Sequence, residues 1–227
     1  MVKTIIFDID NTLLDFILMK RKSISSAVNA MIDVGLEINY NDAYDKIFEI
    51  YERKGYEYQE VFDRFIEDEL GYVDYKILAS AIVHYKKTKE DTLSLYPNTY
   101  ETLIKLSKLG LQLGVLSDAP KREAWIRLCS LNLEHIFDNV VTFDDTGFRK
   151  PHPEPFKKIC KLLDANPKFS LMVGDWPERD IFGAKCLGMK TAYAKYGNLN
   201  DQQSIDADYI LRDISELVDI VKLENGV

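Results

Sequence analysis

The chain begins with an apolar run, Thr4 to Phe7, in which Ile5, Ile6 and Phe7 favour a pleated, buried backbone. This run predicts a strand. Polar positions follow at Asp8, Asp10 and Thr12. From about 16 to 92 the pattern changes. Apolar residues recur at helical spacing over about 20–34, 41–54, 58–70 and 74–89, and Gly35, Gly55 and Gly71 separate the segments. Four amphipathic helices are expected there, with "MKRKS" at 19–23 read as a solvated helix start.

After "LYPNTYETLIKL", where Pro97 marks a helix start, short apolar runs alternate with helical periods. Strands are expected at 111–117, 139–143, 169–175, 190–196 and 207–211, and helices at 120–131, 153–163, 178–187 and about 213–223. Strands that are apolar throughout, alternating with helices, predict a parallel sheet covered on both faces. The fold class expected is therefore α/β, a Rossmann-like parallel core with an inserted α-helical cap. The division expected is 1–15 with 93–227 for the core and 16–92 for the cap.

Composition narrows the function. The net charge is −8 and the hydrophobic share 46%. An acidic, ordinarily apolar chain of this kind is not expected to bind nucleic acid or an anionic membrane, both of which need a basic face. No apolar run is long enough for a bilayer. Cys129, Cys160 and Cys186 are odd in number and form no C-x-x-C pair, so neither a disulfide frame nor a zinc site is expected. With a strand at the very start in place of a leader pattern, a cytoplasmic protein is expected.

Open parallel sheets place ligands beyond the carboxyl ends of their strands. Asp8, Asp10 and Thr12 follow the first strand, and Ser117 and Asp118 the second. Lys150 comes after 139–143, and Asp175, with Asp180 five residues on, after 169–174. Carboxylates crowded at one rim repel one another and require a cation. Hard oxygen ligands suit Mg²⁺, which is held by one or two carboxylates together with a substrate phosphate. Asp8, Asp175 and a carbonyl from the Asp10 region could form such a sphere. A metal, a lysine and a hydroxyl around a carboxylate describe phosphoryl transfer, in which the carboxylate can be the nucleophile.

The stretches "DIDNT" at 8–12, "LSD" at 116–118, "KPHP" at 150–153 and "GDWPERD" at 174–180 resemble the four motifs of the haloacid dehalogenase (HAD) superfamily, in the family's order. The helical insertion between the first two resembles its small cap. The resemblance implies a phosphatase of the phosphoglycolate or glyceraldehyde 3-phosphate type. It further implies Asp8 as nucleophile, Asp10 as general acid/base, Ser117 as a phosphoryl-oxygen donor and Lys150 as a stabiliser of the transferring group. Asp8, Asp10 and Asp175 would serve the metal, with Thr12, Asp118 and Asp180 in support. Asp118 departs from the family, which usually has Asn there, so beyond this support it has no specific role.

An EF-hand loop from Asp8 fails, because its sixth position is Leu13 and its twelfth Met19. Asp180 serves nearly as well as a first-turn partner of a helix dipole. Trp176 reads as packing, and His84, His135 and His152 form no catalytic pattern. A steering role for "MKRKS", Arg53 and Lys54 stays open. Asp10 argues against dehalogenase and phosphonate-hydrolase chemistry. A phosphomutase stays open, as does a non-catalytic phosphate-binding protein. The partner expected is a small phosphorylated metabolite.

Overall fold

The computed structural model describes residues 1–198 and 205–226. The chain divides into two compact units, Met1–Asp15 with Ser94–Val227, and Phe16–Leu93.

The first unit is built on β1 (Thr4–Phe7), and β1 is buried along its whole length. The chain returns to this unit beside its point of departure. Leu14 and Leu95 form an antiparallel bridge, and Asp15 N–H donates to the Ser94 carbonyl (3.2 Å). The remaining elements of this unit begin with α5 (Thr99–Lys108), β2 (Gln112–Leu116), α6 (Lys121–Ser130), β3 (Asn139–Val141), α7 (Phe143–Thr146) and α8 (Pro153–Leu162). They end with β4 (Ser170–Gly174), α9 (Phe182–Cys186), β5 (Lys190–Ala194), β6 (Tyr209–Leu211) and α10 (Glu216–Asn225). Among the described residues the sheet has six strands, all parallel, in the order β3-β2-β1-β4-β5-β6. Phe7 is level with Val115 on one side and Val173 on the other. The residues just after β1, β2 and β4 therefore emerge together, where the strand order reverses.

Two sequence expectations shift here. The strand expected at 139–143 stops at Val141, because Thr142 caps α7: Thr142 N–H and Oγ1–H both donate to Asp145 Oδ2 (2.9 and 2.8 Å). The helix expected at 178–187 is a wide turn over Pro177–Ile181 followed by α9. One face of the sheet is sealed by Phe156, Ile159 and Leu163 of α8 and its flank, packed with Ile6, Leu116, Val141 and Met172.

The second unit is all helical: α1 (Phe16–Asp33), α2 (Tyr40–Lys54), α3 (Val61–Leu70) and α4 (Tyr75–Thr92). Asn39 and Asp74 cap α2 and α4 by accepting backbone N–H bonds, and Gly71 ends α3 in the left-handed region at φ 77°. Ile24, Val28 and Met31 of α1 meet Ile47, Phe62, Phe65, Ile66, Ile77 and Ala81 in one apolar core.

The start of α1 corrects a sequence expectation. The helix begins at Phe16, and Lys20 is buried rather than solvated. Its ammonium donates to the Tyr56 carbonyl (2.7 Å) and the Tyr85 hydroxyl (2.8 Å) and lies 4.2 Å from the centre of the Tyr51 ring. An aromatic cage with two acceptors offsets the loss of water around this charge. No helix among the described residues is long and apolar enough to cross a membrane.

Candidate active site

The rim of the sheet unit gathers side chains from three neighbouring strand ends. Asp8 continues β1, its N–H donating to the Val173 carbonyl (2.9 Å). Ser117 continues β2, with its N–H on the Val141 carbonyl (2.9 Å). Asp175 continues β4. Lys150 arrives from the loop before α8, and its ammonium sits 2.7 Å from Asp8 Oδ1, 2.7 Å from Asp180 Oδ1 and 3.0 Å from the Leu116 carbonyl. Asp180 is fully buried and also accepts the Trp176 N–H (3.0 Å). Its approach requires Gly174, since a Cβ there would lie 2.3 Å from Asp180 Cγ.

Ligand atoms of Asp8, Asp175 and Asp180 all lie within 4.8 Å of one another. One lysine faces these three carboxylates, which leaves an excess of negative charge in a buried site. The electrostatics follow from that imbalance. Burial, with Asp180 and Asp10 adding to it, pushes the Asp8 carboxyl up to about 8 even though Lys150 pulls the other way. Burial, Asp8 and Asp180 together push Asp175 well above the usual carboxylate range. Burial alone would lower the Lys150 ammonium, but Asp180, Asp8 and Asp118 outweigh it and hold the charge in place. A cluster of hard oxygens with uncompensated negative charge fits a divalent cation.

Asp8 Oδ1 is occupied by Lys150, while Oδ2 has no hydrogen-bond partner among the described residues. Ser117 Oγ accepts the Ala119 N–H (3.1 Å), which leaves its hydroxyl proton to donate. Together the rim offers an open carboxylate oxygen, a fixed ammonium and a hydroxyl donor at the mouth of one sheet.

The profile of the haloacid dehalogenase-like hydrolases matches residues 5–194, a stretch that holds all of these groups. The chain belongs to this family. Among its HAD-like relatives, a glyceraldehyde 3-phosphate phosphatase of Methanocaldococcus jannaschii is 37% identical over 98% of each chain. Pyrophosphatase PpaX of Bacillus cereus is 30% identical, covering 97% of this chain and 96% of its own. The crystal structure of a HAD phosphatase from Thermococcus onnurineus superposes with a TM-score of 0.73 at 25% identity, covering 97% of this chain and 98% of its own.

Several HAD motif residues stand elsewhere than at the carboxylate triad. The Asp10 carboxylate turns to Arg127, whose Nη1 is 2.9 Å from Asp10 Oδ2. Arg127 comes from α6, is 2% exposed, and is a neighbour of Asp10 that motif reading missed. Asp118 ties two loops together: Oδ1 accepts the Lys150 N–H (2.8 Å), and Oδ2 lies 3.4 Å from Arg179 Nη1. The Arg179 guanidinium in turn covers the Trp176 ring at 3.9 Å, and the ring is otherwise half-exposed. Thr12 is fully buried; its carbonyl accepts the Tyr196 hydroxyl (2.8 Å), and its own Oγ1 has no partner among the described residues. His152 caps α8 and stacks on Phe148.

Proposed function

We propose that the protein is a Mg²⁺-dependent phosphatase of small phosphate monoesters that works through an aspartyl-phosphate on Asp8. The observation that carries this reading is the position of Lys150. It engages only one oxygen of Asp8 and leaves the other directed to no protein group, beside an acidic cluster suited to a cation.

In the proposed mechanism Asp8 Oδ2 attacks phosphorus, and the bond to the ester oxygen breaks. Lys150 and the Ser117 hydroxyl meet charge on the phosphoryl oxygens. Asp10 gives a proton to the departing alkoxide, then removes one from the water that attacks the aspartyl-phosphate. This second displacement frees phosphate and regenerates Asp8. Arg127 orients Asp10 for both steps. Asp8, Asp175 and the Asp10 carbonyl would hold Mg²⁺, with Asp180 in support through Lys150. Bound there, the ion supplies neutralising charge between the carboxylates and the substrate phosphate. Asp118 keeps the Lys150 loop and Arg179 in register. The helical unit, as the cap, is proposed to select among substrates.

Relatives that act on glyceraldehyde 3-phosphate favour a triose phosphate as substrate. Phosphate release should be measured from glyceraldehyde 3-phosphate, phosphoglycolate and pyrophosphate, with EDTA and with added Mg²⁺. Turnover is expected to be fastest with the triose phosphate, lost in EDTA and restored by Mg²⁺. Full activity in excess chelator would overturn the metal requirement. Preference for pyrophosphate would overturn the monoester assignment. Movement of the phosphoryl group to another hydroxyl without phosphate release would make the protein a mutase.

A further inference from the structure

The helical unit carries an open pocket of about 600 Å³ whose lining has one chemical character. Helix α1 is two-sided. Lys20, Ile24, Ala27, Val28 and Met31 turn inward, whereas Arg21, Lys22, Ser25, Ser26 and Asn29 form a stripe at i, i+4 spacing along the pocket. Tyr40 and Tyr44 of α2 and Thr88 of α4 complete the wall. Every one of these side chains can donate a hydrogen bond, and no carboxylate lines the pocket. The chain as a whole has net charge −8, yet α1 holds three cations and a single acid, Asp33, at its far end. Arg21 and Lys22 make no ion pair with any described residue.

The wall is partly pre-arranged. The Tyr40 hydroxyl donates to Ser25 Oγ (2.8 Å), and the Tyr40 and Tyr44 rings stack at 5.9 Å. Small-molecule sites of this volume are usually apolar with a few polar anchors, whereas here donors surround the space. Such a lining matches a ligand rich in acceptor oxygens and carrying negative charge. An Arg fork and a Lys point charge suit a phosphate dianion, and the hydroxyl and amide groups suit a polyol.

We propose that this pocket is a binding site for a small hydroxylated phosphate ester, distinct in its residues from the carboxylate rim. All of its residues belong to the helical unit and none is in the proposed phosphatase machinery, so the two readings stand or fall separately.

The test uses full-length Asp8→Asn protein, which keeps the pocket and prevents turnover of the probe. Fructose 1,6-bisphosphate is titrated while the ring signals of Tyr40 and Tyr44 are followed by NMR and the heat by calorimetry. Saturable shifts of both tyrosines are expected. Adding Arg21→Gln and Lys22→Gln, two exposed substitutions, should weaken that binding by about tenfold or more, because charge-assisted hydrogen bonds are lost. Inorganic phosphate should bind the pocket more weakly than the ester. Unmoved tyrosine signals, or equal affinity after the double substitution, would overturn the site. Equal affinity for inorganic phosphate would overturn the ester assignment.

Discussion

Asp8→Asn is expected to remove turnover, by at least on the order of 10⁴-fold, while the circular dichroism spectrum stays that of the wild type. The amide keeps the shape of the carboxyl but is a poor nucleophile and a weaker ligand for a cation. The same change should alter how stability depends on pH. Without metal the folded protein holds the Asp8 proton up to about 8, whereas the unfolded chain releases it near 3.8. A carboxyl with a raised folded-state pKa contributes most below 3.8, and that contribution is lost as pH rises towards 8. Thermal melts in EDTA should therefore fall with pH less steeply for Asp8→Asn than for wild type. Some slope should remain, because Asp175 is shifted in the same direction. Mg²⁺ should raise the melting temperature of the wild type more than that of the variant. Ordinary phosphatase activity in the variant would remove Asp8 from the nucleophile's role.

Lys150→Met is expected to damage both fold and chemistry. Lys150 is 4% exposed and is paired with Asp8 and with the fully buried Asp180. Methionine fills similar volume but leaves these carboxylates facing each other. Removing one partner from a buried ionic group costs about 3–5 kcal/mol, because the charge left behind has lost both water and its counter-ion. Chemical denaturation should show a loss of that size near neutral pH. Turnover should drop on the order of 10²–10³-fold, the usual effect of deleting one group that meets transition-state charge. A variant as stable as wild type at neutral pH would contradict the electrostatic reading of the site.

How much could be read from sequence depended on how local each signal was. The parallel core was legible because each strand is a short apolar run followed at once by polar residues, as in "IIFDID" and "LMVGD". That adjacency also put Asp8, Ser117 and Asp175 at one rim. Lys150 came only through its motif, since a lone lysine before a proline carries no chemical signature. Arg127 was invisible: it lies 117 residues from Asp10 and looks like any charged position on an amphipathic helix. Burial of Lys20 was missed for the same reason. Three cations in a row read as solvent-facing, and the groups that hold the first of them are the rings of Tyr51 and Tyr85 and the carbonyl of Tyr56, all distant in sequence. The Thr142–Asp145 capping box, by contrast, was present in "VTFDD" and could have ended β3 on paper. The Arg21 stripe is legible as a pattern, but only the packing of α1, α2 and α4 turns it into a pocket.

The covalent role proposed for Asp8 is tested most directly by the stereochemical course at phosphorus. A phosphorothioate monoester made chiral with two oxygen isotopes would be hydrolysed by the wild-type protein with Mg²⁺ in water carrying the third, and the configuration of the released thiophosphate determined. Two successive in-line displacements, first by Asp8 and then by water, predict net retention. Inversion would mean that water attacks the ester directly, and would contradict an aspartyl-phosphate on Asp8.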